Sequence, residues 1–391
     1  MQTVLYSGVP NASALANVEA GVVALKSRSN APEDAIKQSL QALRWLQAQG
    51  CRQFFFKYCS TFDSTSQGNI GPVAEALAAA LNASKVIVCP AFPGTGRSIY
   101  QGHLFVNDHL LNESGMQNHP ITPMEDSDLR RVMQAQCKAK VGHVAYADVA
   151  SGAQRLLEKL NEQEQAGHLF IVVDAISDDD LLEIGKAVCD VKLITGGSGV
   201  ALGLPANFVA SGDISRSENN WQGQSGPIAA LSGSCSIATR NQIEVHSQQH
   251  PTYQLNADDV INGSLSIESV VGWVLAQTGV PLVYSSANPD EVASTQAKHT
   301  QAVASDALEN FFAQLAQQLV AAGVTKLISA GGETSGAVVE ALSLSSLALG
   351  PEIDPGVPAL RASDDLVIAL KSGNFGAPDF FEKAALLMNN Q

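Results

Sequence analysis

Three small-residue turns, each following an apolar strand, contain the residue types that bind phosphate. They span Ser232–Ser234, Gly331–Gly336 and Gly373–Gly376. Unpaired N–H groups and the helix dipole attract an anion where a helix starts. Parallel strands present their carboxyl ends at one edge, so together the turns predict a nucleotide site. An ordinary strand-to-helix connection is the alternative for any one of them. The candidate nucleotide contacts are Ser232, Ser234, Gly331, Gly332, Glu333, Thr334, Ser335, Gly336, Gly373, Asn374 and Gly376.

The middle turn has the clearest local pattern. Val324–Ser329 predicts a strand, and we expect Thr334 or Ser335 to cap the helix that runs to Leu342. The chain contains neither G-x-x-x-x-G-K-[ST] nor a G-x-G-x-x-G that opens a helix after a strand, which argues against a P-loop and a dinucleotide oxidoreductase. We expect backbone amides to hold the phosphates, with Mg²⁺ offsetting their charge. Lys371 is the nearest cation, and an ordinary strand-end lysine is its alternative role.

A second polar stretch follows the predicted strand Arg52–Phe56. Its hydroxyls, amide and charged groups suit a small polyhydroxylated anion, and Arg97 can hold a carboxylate with two hydrogen bonds. Helix caps and turns are the alternative use of the same side chains. The candidate substrate contacts are Lys57, Ser60, Thr61, Asp63, Ser64, Thr65, Asn69 and Arg97.

Four histidines lie in the first half of the chain at spacings that match no known metal site. We expect each to form structural hydrogen bonds or to contact substrate, and we assign no metal ligand. They are His103, His109, His119 and His143.

Composition limits the classes of partner. The 391 residues carry a net charge of -15, which disfavours binding to nucleic acid or to an anionic membrane. No run of about 18 apolar residues predicts a membrane span. The six cysteines are widely separated, so they predict neither a zinc site nor a disulfide framework, and reduced thiols suit a cytoplasmic protein.

Apolar periodicity predicts strands alternating with helices in two α/β domains with mainly parallel sheets and a cleft between them. We expect a first domain over 1–204, a linker over 205–226 that lacks an apolar period, and a nucleotide domain over 227–391. Residues 98–126 are expected to be irregular, and residues 259–277 to form one helix.

Several motifs resemble the four-carbon acid sugar kinases, most closely the branch that acts on 3-oxo-tetronate. They are FKYCSTFDSTSQGNIGPV, LITGGSGVALGL, LSGSCS, ISAGGETSG and ALKSGNFG. The resemblance covers nearly the whole chain. It implies a sugar-acid-binding domain, an ATP-binding domain and phosphorylation of the C4 hydroxyl, and a homodimer is compatible with it. D-threonate and D-erythronate are alternative substrates, and a sugar-acid-binding protein without turnover is an alternative of another class.

The family usually begins with a strand followed by a motif resembling A-D-D-F-T-G-A-T-D, and no matching segment precedes Met1. We therefore expect lower stability and less turnover than in a chain extended upstream. Asp354, in the EIDPGVP turn, is our candidate for a metal-facing or basic carboxylate. A turn-forming aspartate before Pro355 is its alternative role.

Overall fold

A computed structural model describes residues 1–25, 27–119, 122–214, 221–286 and 299–389. The chain forms two compact units, one containing Gly8–Arg216 with Met1, the other containing Gln2–Ser7 with Ser217–Gln391. Both are α/β units with mainly parallel strands, as predicted. The domain boundaries remain predictions, although residues 2–7, assigned above to the first domain, belong to the second unit.

The strands are numbered in chain order. They are β1 (Thr3–Ser7), β2 (Ala20–Ala24), β3 (Phe54–Lys57), β4 (Val86–Cys89), β5 (Arg97–Tyr100), β6 (His103–Val106), β7 (His109–Leu110), β8 (Lys140–Val144), β9 (His168–Val173), β10 (Leu193–Gly196), β11 (Ile228–Ser232), β12 (Thr252–Gln254), β13 (Leu282–Tyr284), β14 (Lys326–Ala330), β15 (Ser346–Asp354), β16 (Val357–Arg361) and β17 (Val367–Lys371).

The helices are numbered in the same way. They are α1 (Pro32–Ala48), α2 (Ile70–Leu81), α3 (Leu129–Gln134), α4 (Tyr146–Val149), α5 (Ala153–Gln165), α6 (Asp178–Ala187), α7 (Pro205–Ala210), α8 (Ile237–Ser247), α9 (Ala257–Ile261), α10 (Ile267–Ala276), α11 (Gln301–Ala321), α12 (Gly332–Ala341) and α13 (Phe380–Met388). None of the helices that the structure describes is long and apolar enough to cross a membrane.

The first unit contains a parallel five-stranded sheet in the order β3-β10-β4-β9-β8. β4 and β10 are buried at every residue, and the apolar run of β4 is typical of a strand in a parallel sheet covered on both faces. Local signals fix several helix starts. α1 has proline at its first turn, and Ser177 forms a capping box with Asp180 at α6.

The expectation of irregular structure over 98–126 is wrong in part. β5, β6 and β7 form a small antiparallel sheet. Gln101 and Gly102, both at positive φ, join β5 to β6, and Asn107 has positive φ in the next turn. Gln-Gly is not among the common hairpin signals, which is why the sequence pattern missed this sheet.

The second unit has the strand order β12-β13-β11-β14-β17-β16-β15-β1. Strands from β12 to β17 along this order are parallel, whereas β17, β16, β15 and β1 pair antiparallel. β12, β15 and β16 were not predicted. Register shifts interrupt β15 between Leu349 and Asp354, so its side chains do not alternate regularly.

Three local predictions need correction. The expected helix over 259–277 is two helices, α9 and α10, separated at Gly263, where φ is positive, and Ser266 caps α10. Gly331 is the N-cap of α12, so neither Thr334 nor Ser335 caps that helix. The expected linker begins with α7 because Pro205 favours a helix start, and its residues 215–220 lie outside the described part of the chain.

Candidate functional site

The three predicted turns of the second unit meet at one edge of its sheet. Ser232 pairs with Ala330, and Ala330 pairs with Lys371, so β11, β14 and β17 end level with one another. A Cβ added at Gly233 would lie 2.2 Å from Thr334 Oγ1. One added at Gly373 would lie 2.3 Å from Ser234 Oγ. The turns are therefore packed so closely that side chains are excluded at these positions.

The start of α12 is the most open part of this edge. Gly331 has φ of 122°, and an added Cβ would lie 3.2 Å from the Ser234 nitrogen. Gly332 is exposed, and the space around its Cβ position is open to 4 Å among the described atoms. No described side chain caps this ten-residue helix, so its first N–H groups remain available to an anion.

Several predicted contacts instead hold the turns in place. Ser232 is fully buried, 3.3 Å from the Ser286 hydroxyl, which donates to the Ser234 carbonyl at 2.5 Å. Ser335 donates back to the Ser329 carbonyl at 3.2 Å. Glu333, Gly336 and Asn374 complete the predicted set, with Glu333 and Asn374 exposed beside the turns and Gly336 half-buried in α12.

The sequence reasoning missed a group of side chains on α8 that fix the Gly373–Gly376 turn. Ser236 and Thr239 both donate to the Gly373 carbonyl, at 2.6 and 2.8 Å. The Gln242 amide donates to the carbonyls of three consecutive residues, Phe375, Gly376 and Ala377. Ser236 is also the N-cap of α8, where its side chain accepts from the Thr239 N–H. A serine just before a predicted helix is the signal that could have identified this role.

Lys371 ends β17 with its side chain buried rather than projecting from the strand end. Its ammonium donates to Thr239 Oγ1 at 2.9 Å and to the Ser372 and Gly373 carbonyls, both at 3.3 Å. Its backbone carbonyl accepts from Gly331 N–H at 2.9 Å. Lys371 therefore connects two of the three turns.

Asp354 lies at the hairpin between β15 and β16, as expected from the EIDPGVP turn. It is buried, and its two oxygens accept from the Ala377 N–H and the Lys383 ammonium, both at 2.9 Å. The Gly356 amide of the turn donates to Glu352 at 2.6 Å. These contacts brace the segment after Gly376, which supports a positioning role for Asp354.

The polar loop after β3 forms the corresponding edge in the first unit. Thr61, Asp63, Ser64 and Asn69 are all buried there. Thr61 donates to Asp63 at 2.5 Å, and Ser64 donates to Gln136 at 2.9 Å. Much of the polar capacity of the loop is thus used within the protein.

The side-chain amide of Asn69 bonds to the protein itself rather than facing a ligand. It donates to the carbonyls of Ser27 at 2.7 Å and Asn30 at 3.1 Å and so anchors the preceding turn. The remaining predicted contacts are less enclosed, since Lys57 is exposed and Ser60 and Thr65 are half-buried.

Two features of this loop were not predicted. Phe62 is fully buried with φ of 52°, a strained conformation for a large side chain, between Thr61 and Asp63. Such strain is found mostly at functional sites. Arg28 lies 3.5 Å from Asp63 with its guanidinium largely exposed, which adds a cation to the loop.

Arg97 begins β5 and donates one N–H to the Thr95 carbonyl. Its Nε is buried, and no acceptor for it exists among the described residues. A buried donor without an acceptor is costly, and a ligand carboxylate would satisfy it.

The turn after β10 links this arginine to the polar loop, which sequence reasoning did not anticipate. A Cβ at Gly197 would lie 3.4 Å from Ser60 and 2.5 Å from the Pro90 carbonyl. One at Gly199 would lie 2.9 Å from Phe92, which pairs with Arg97. The repeated glycines of TGGSG were the available signal.

Asp174 supports the hairpin that carries Arg97. Its fully buried carboxylate accepts from the backbone N–H groups of Gln101, Gly102 and Tyr146, and His143 Nε2 lies 2.8 Å away. The three other histidines singled out from the sequence also have protein contacts. His103 contacts the Gln101 carbonyl, His109 contacts Asp108, and His119 contacts Thr122.

A further cluster joins His246, His250 and Glu382 in the second unit, with one ligand atom from each within 4.8 Å of the others. The two imidazoles stack at 26°, with centroids 4.7 Å apart. A metal must lie in the plane of each ligating ring, and nearly parallel rings cannot direct their nitrogens to one ion. The Val280 N–H also donates to His250 Nδ1 at 3.3 Å, which favours a hydrogen-bonded cluster.

Comparison with known proteins agrees with this two-part organisation. Residues 1–204 match the family model of a sugar-binding N-terminal domain, and residues 229–381 match that of a nucleotide-binding C-terminal domain. The 3-oxo-tetronate kinases of Haemophilus influenzae and Burkholderia multivorans are both 47% identical to this chain over 98% of its length, covering 93% and 91% of their own.

Solved structures show the same fold. A crystal structure of a Haemophilus influenzae protein, 45% identical, matches 99% of this chain and 94% of its own with a TM-score of 0.87. One from Salmonella typhimurium LT2, 40% identical, matches 98% and 93% with a TM-score of 0.92. The two matched domains and the near full-length identity show that this chain belongs to the four-carbon acid sugar kinase family.

Proposed function

We propose that this protein is an ATP-dependent kinase that phosphorylates the C4 hydroxyl of 3-oxo-tetronate. The observation that carries the proposal is the level convergence of three small-residue turns beside an uncapped helix start. That arrangement suits the phosphates of a nucleotide. The kinases of the same family, 47% identical to this chain, supply the substrate class.

The phosphates are assigned to the first amides of α12, beginning at Gly332, with Ser234 and the Gly373 turn closing the site. The Gly331 N–H is bonded to the Lys371 carbonyl, so Gly331 contributes by its conformation rather than by its amide. Gly332 is the position at which the protein leaves room for them. Mg²⁺, when bound, neutralises phosphate charge, and the exposed Glu333 is the carboxylate we assign to it. An acidic side chain beside phosphates would otherwise oppose nucleotide binding.

The sugar acid is assigned to the polar loop and to Arg97. The unsatisfied Arg97 Nε supports binding of the substrate carboxylate. Thr61, Asp63 and Arg28 offer hydrogen-bonding and charged groups for the remainder of the molecule. In the reaction, the C4 oxygen attacks the γ-phosphorus, the bond to the β-phosphate oxygen breaks, and the hydroxyl proton leaves to a base.

Release of ADP measures this function directly. The full chain should release ADP in the presence of ATP, Mg²⁺ and 3-oxo-tetronate, faster than with D-threonate or D-erythronate. Faster turnover of one of those acids would reassign the substrate. Binding of a sugar acid without ADP release above the ATP-only rate would identify a binding protein instead. A homodimer stays a prediction, which sedimentation of the same preparation would test.

A further inference from the structure

Two lysines are buried on adjacent strands of the second unit, at opposite ends. Lys326 begins β14 and is 4% exposed, whereas Lys371 ends β17 and is 2% exposed. Lys326 contacts the Asn389 side chain. Burying an ammonium is costly unless it is paired and hydrogen-bonded. Of these two lysines, only Lys371 lies at the three turns.

The Lys371 ammonium is held by neutral groups. It donates to the Thr239 hydroxyl and to two carbonyls, and it lies 5.7 Å from the centre of the Phe380 ring. No carboxylate forms an ion pair with it among the described residues. Within the described part of the chain, its positive charge therefore has no counter-charge.

We propose that protonated Lys371 is a positioning residue for the nucleotide, which fixes the Gly373 turn and supplies positive charge behind the phosphates. The proposal rests on the function proposed above. In a poorly solvated environment a charge acts over a longer range than in water, and the charge of a polyphosphate is unusually high. An anion at the turns would supply the counter-charge that the described residues do not.

The charge should be lost at mildly alkaline pH. Burial lowers the pKa of Lys371 from 10.5 to about 8. Below that pKa the folded protein carries the ammonium, and above it the side chain is a neutral amine. A neutral amine still donates two hydrogen bonds, so anchoring of the turn alone would survive deprotonation, whereas attraction of phosphate would not.

The neighbouring ionisable groups on α8, α13 and the adjoining turns have other partners or lie outside the contacts of Lys371. Glu382 is paired with His246, and Lys383 is paired with both Asp354 and Asp379, which keep the pKa of Lys383 raised. The remaining ones on these elements are Arg240, Glu244, Cys235 and Glu333. Cys235 is an exposed thiol between Ser234 and Ser236, so the titration requires a Cys235→Ser background.

The test is ATP affinity by calorimetry from pH 7 to 9.5 at constant Mg²⁺, on the full chain carrying Cys235→Ser. We expect affinity to fall at least tenfold as the pH rises through about 8. Lys371→Met should bind at least tenfold more weakly at pH 7 and show no alkaline loss. Lys371→Arg should remove the alkaline loss, since arginine stays charged.

Lys326→Met is the matched control, because it removes a similarly buried lysine from the far end of the neighbouring strand. It should keep the parental profile, which is the pH dependence of ATP affinity in the Cys235→Ser chain. A parental profile that is flat to pH 9.5, or equal ATP affinity in folded Lys371→Met, would overturn the role of Lys371. The parental profile decides the matter even if the substitutions unfold the protein. Failure of the folded parent to bind ATP at pH 7 would overturn the proposed kinase as well.

Discussion

The two candidate sites differ in the groups that they offer to an anion. In the second unit the site is mainly backbone, with glycines at turns where a Cβ would collide with the next turn. In the first unit it is mainly side chains, and many of those bond to one another. The backbone site depends on conformation at a few glycines, whereas the side-chain site depends on which polar groups remain unpaired. Substitutions should therefore affect them differently.

The largest expected effect is at the start of α12. Gly332→Val should place a side chain in the open space assigned to phosphate and weaken ATP binding about 100-fold, or ~2.7 kcal/mol. Calorimetry on the folded variant measures it. Gly331→Val is a poorer probe because its φ of 122° adds backbone strain.

Gly272→Val is the matched control for Gly332→Val. Gly272 is also an exposed helical glycine with open space at its Cβ position, on α10. It should lose some stability and keep its ATP affinity. Equal ATP affinity in Gly332→Val and Gly272→Val would show that the phosphates do not bind at the start of α12.

The next effect sharpens the side-chain site. Arg97→Lys should raise the KM for the sugar acid roughly tenfold, because an ammonium cannot form the two parallel hydrogen bonds of a guanidinium. The KM for ATP should stay unchanged in the same steady-state assay. Arg155→Lys, on the exposed surface of α5, is the control. If only the KM for ATP changed, Arg97 would instead belong to the nucleotide site.

A smaller effect is expected at Asp354. Asp354→Asn should lower the free energy of unfolding by about 1–2 kcal/mol, because the bonds to Ala377 and Lys383 lose a charged acceptor. Thermal melting measures the loss, and turnover should fall only severalfold. A drop in kcat of a thousandfold at unchanged stability would instead make Asp354 the catalytic base or a metal ligand.

The smallest effect concerns stability and has the opposite sign. Lys371→Met should raise the free energy of unfolding by about 1 kcal/mol at pH 7, because it removes a buried charge. The pKa of Lys371 is about 8 in the folded protein and 10.5 for an ordinary lysine, so the unfolded chain binds the extra proton between these pH values. The advantage of the variant should therefore shrink as the pH rises from about 8 to 10.5. Melting curves at pH 7 and 10 without nucleotide would show it, and a variant less stable at pH 7 would contradict it.

Sequence patterns predicted the geometry of the turns in the second unit better than the contacts of the polar loop in the first. The alternation of apolar runs and glycine turns predicted that the Gly331 and Gly373 turns lie at one edge, and the parallel strands before them do end level there. No sequence pattern shows that Asn69 bonds to Ser27 and Asn30, or that the Arg97 Nε has no acceptor among the described residues. Those facts depend on contacts between segments far apart in the chain.

The antiparallel elements were missed for a related reason. β15 is irregular between Leu349 and Asp354, so it has no steady alternation of buried and exposed residues. β5 and β6 are short and joined by Gln101 and Gly102, a pair that is a weak turn signal. Their pairing becomes evident only when the partner strand is known.

The pairing of β1 with β15 has a consequence for biosynthesis. Val4 pairs with Ala348, so β1 must wait for a strand that is synthesised about 340 residues later. At about 5–20 residues per second, the interval is roughly 20–70 s. During that time the Gly8–Arg216 unit can be completed, whereas β15 has not yet been synthesised and cannot pair with β1. The pairing of β1 with β15 therefore forms only after translation has passed residue 348.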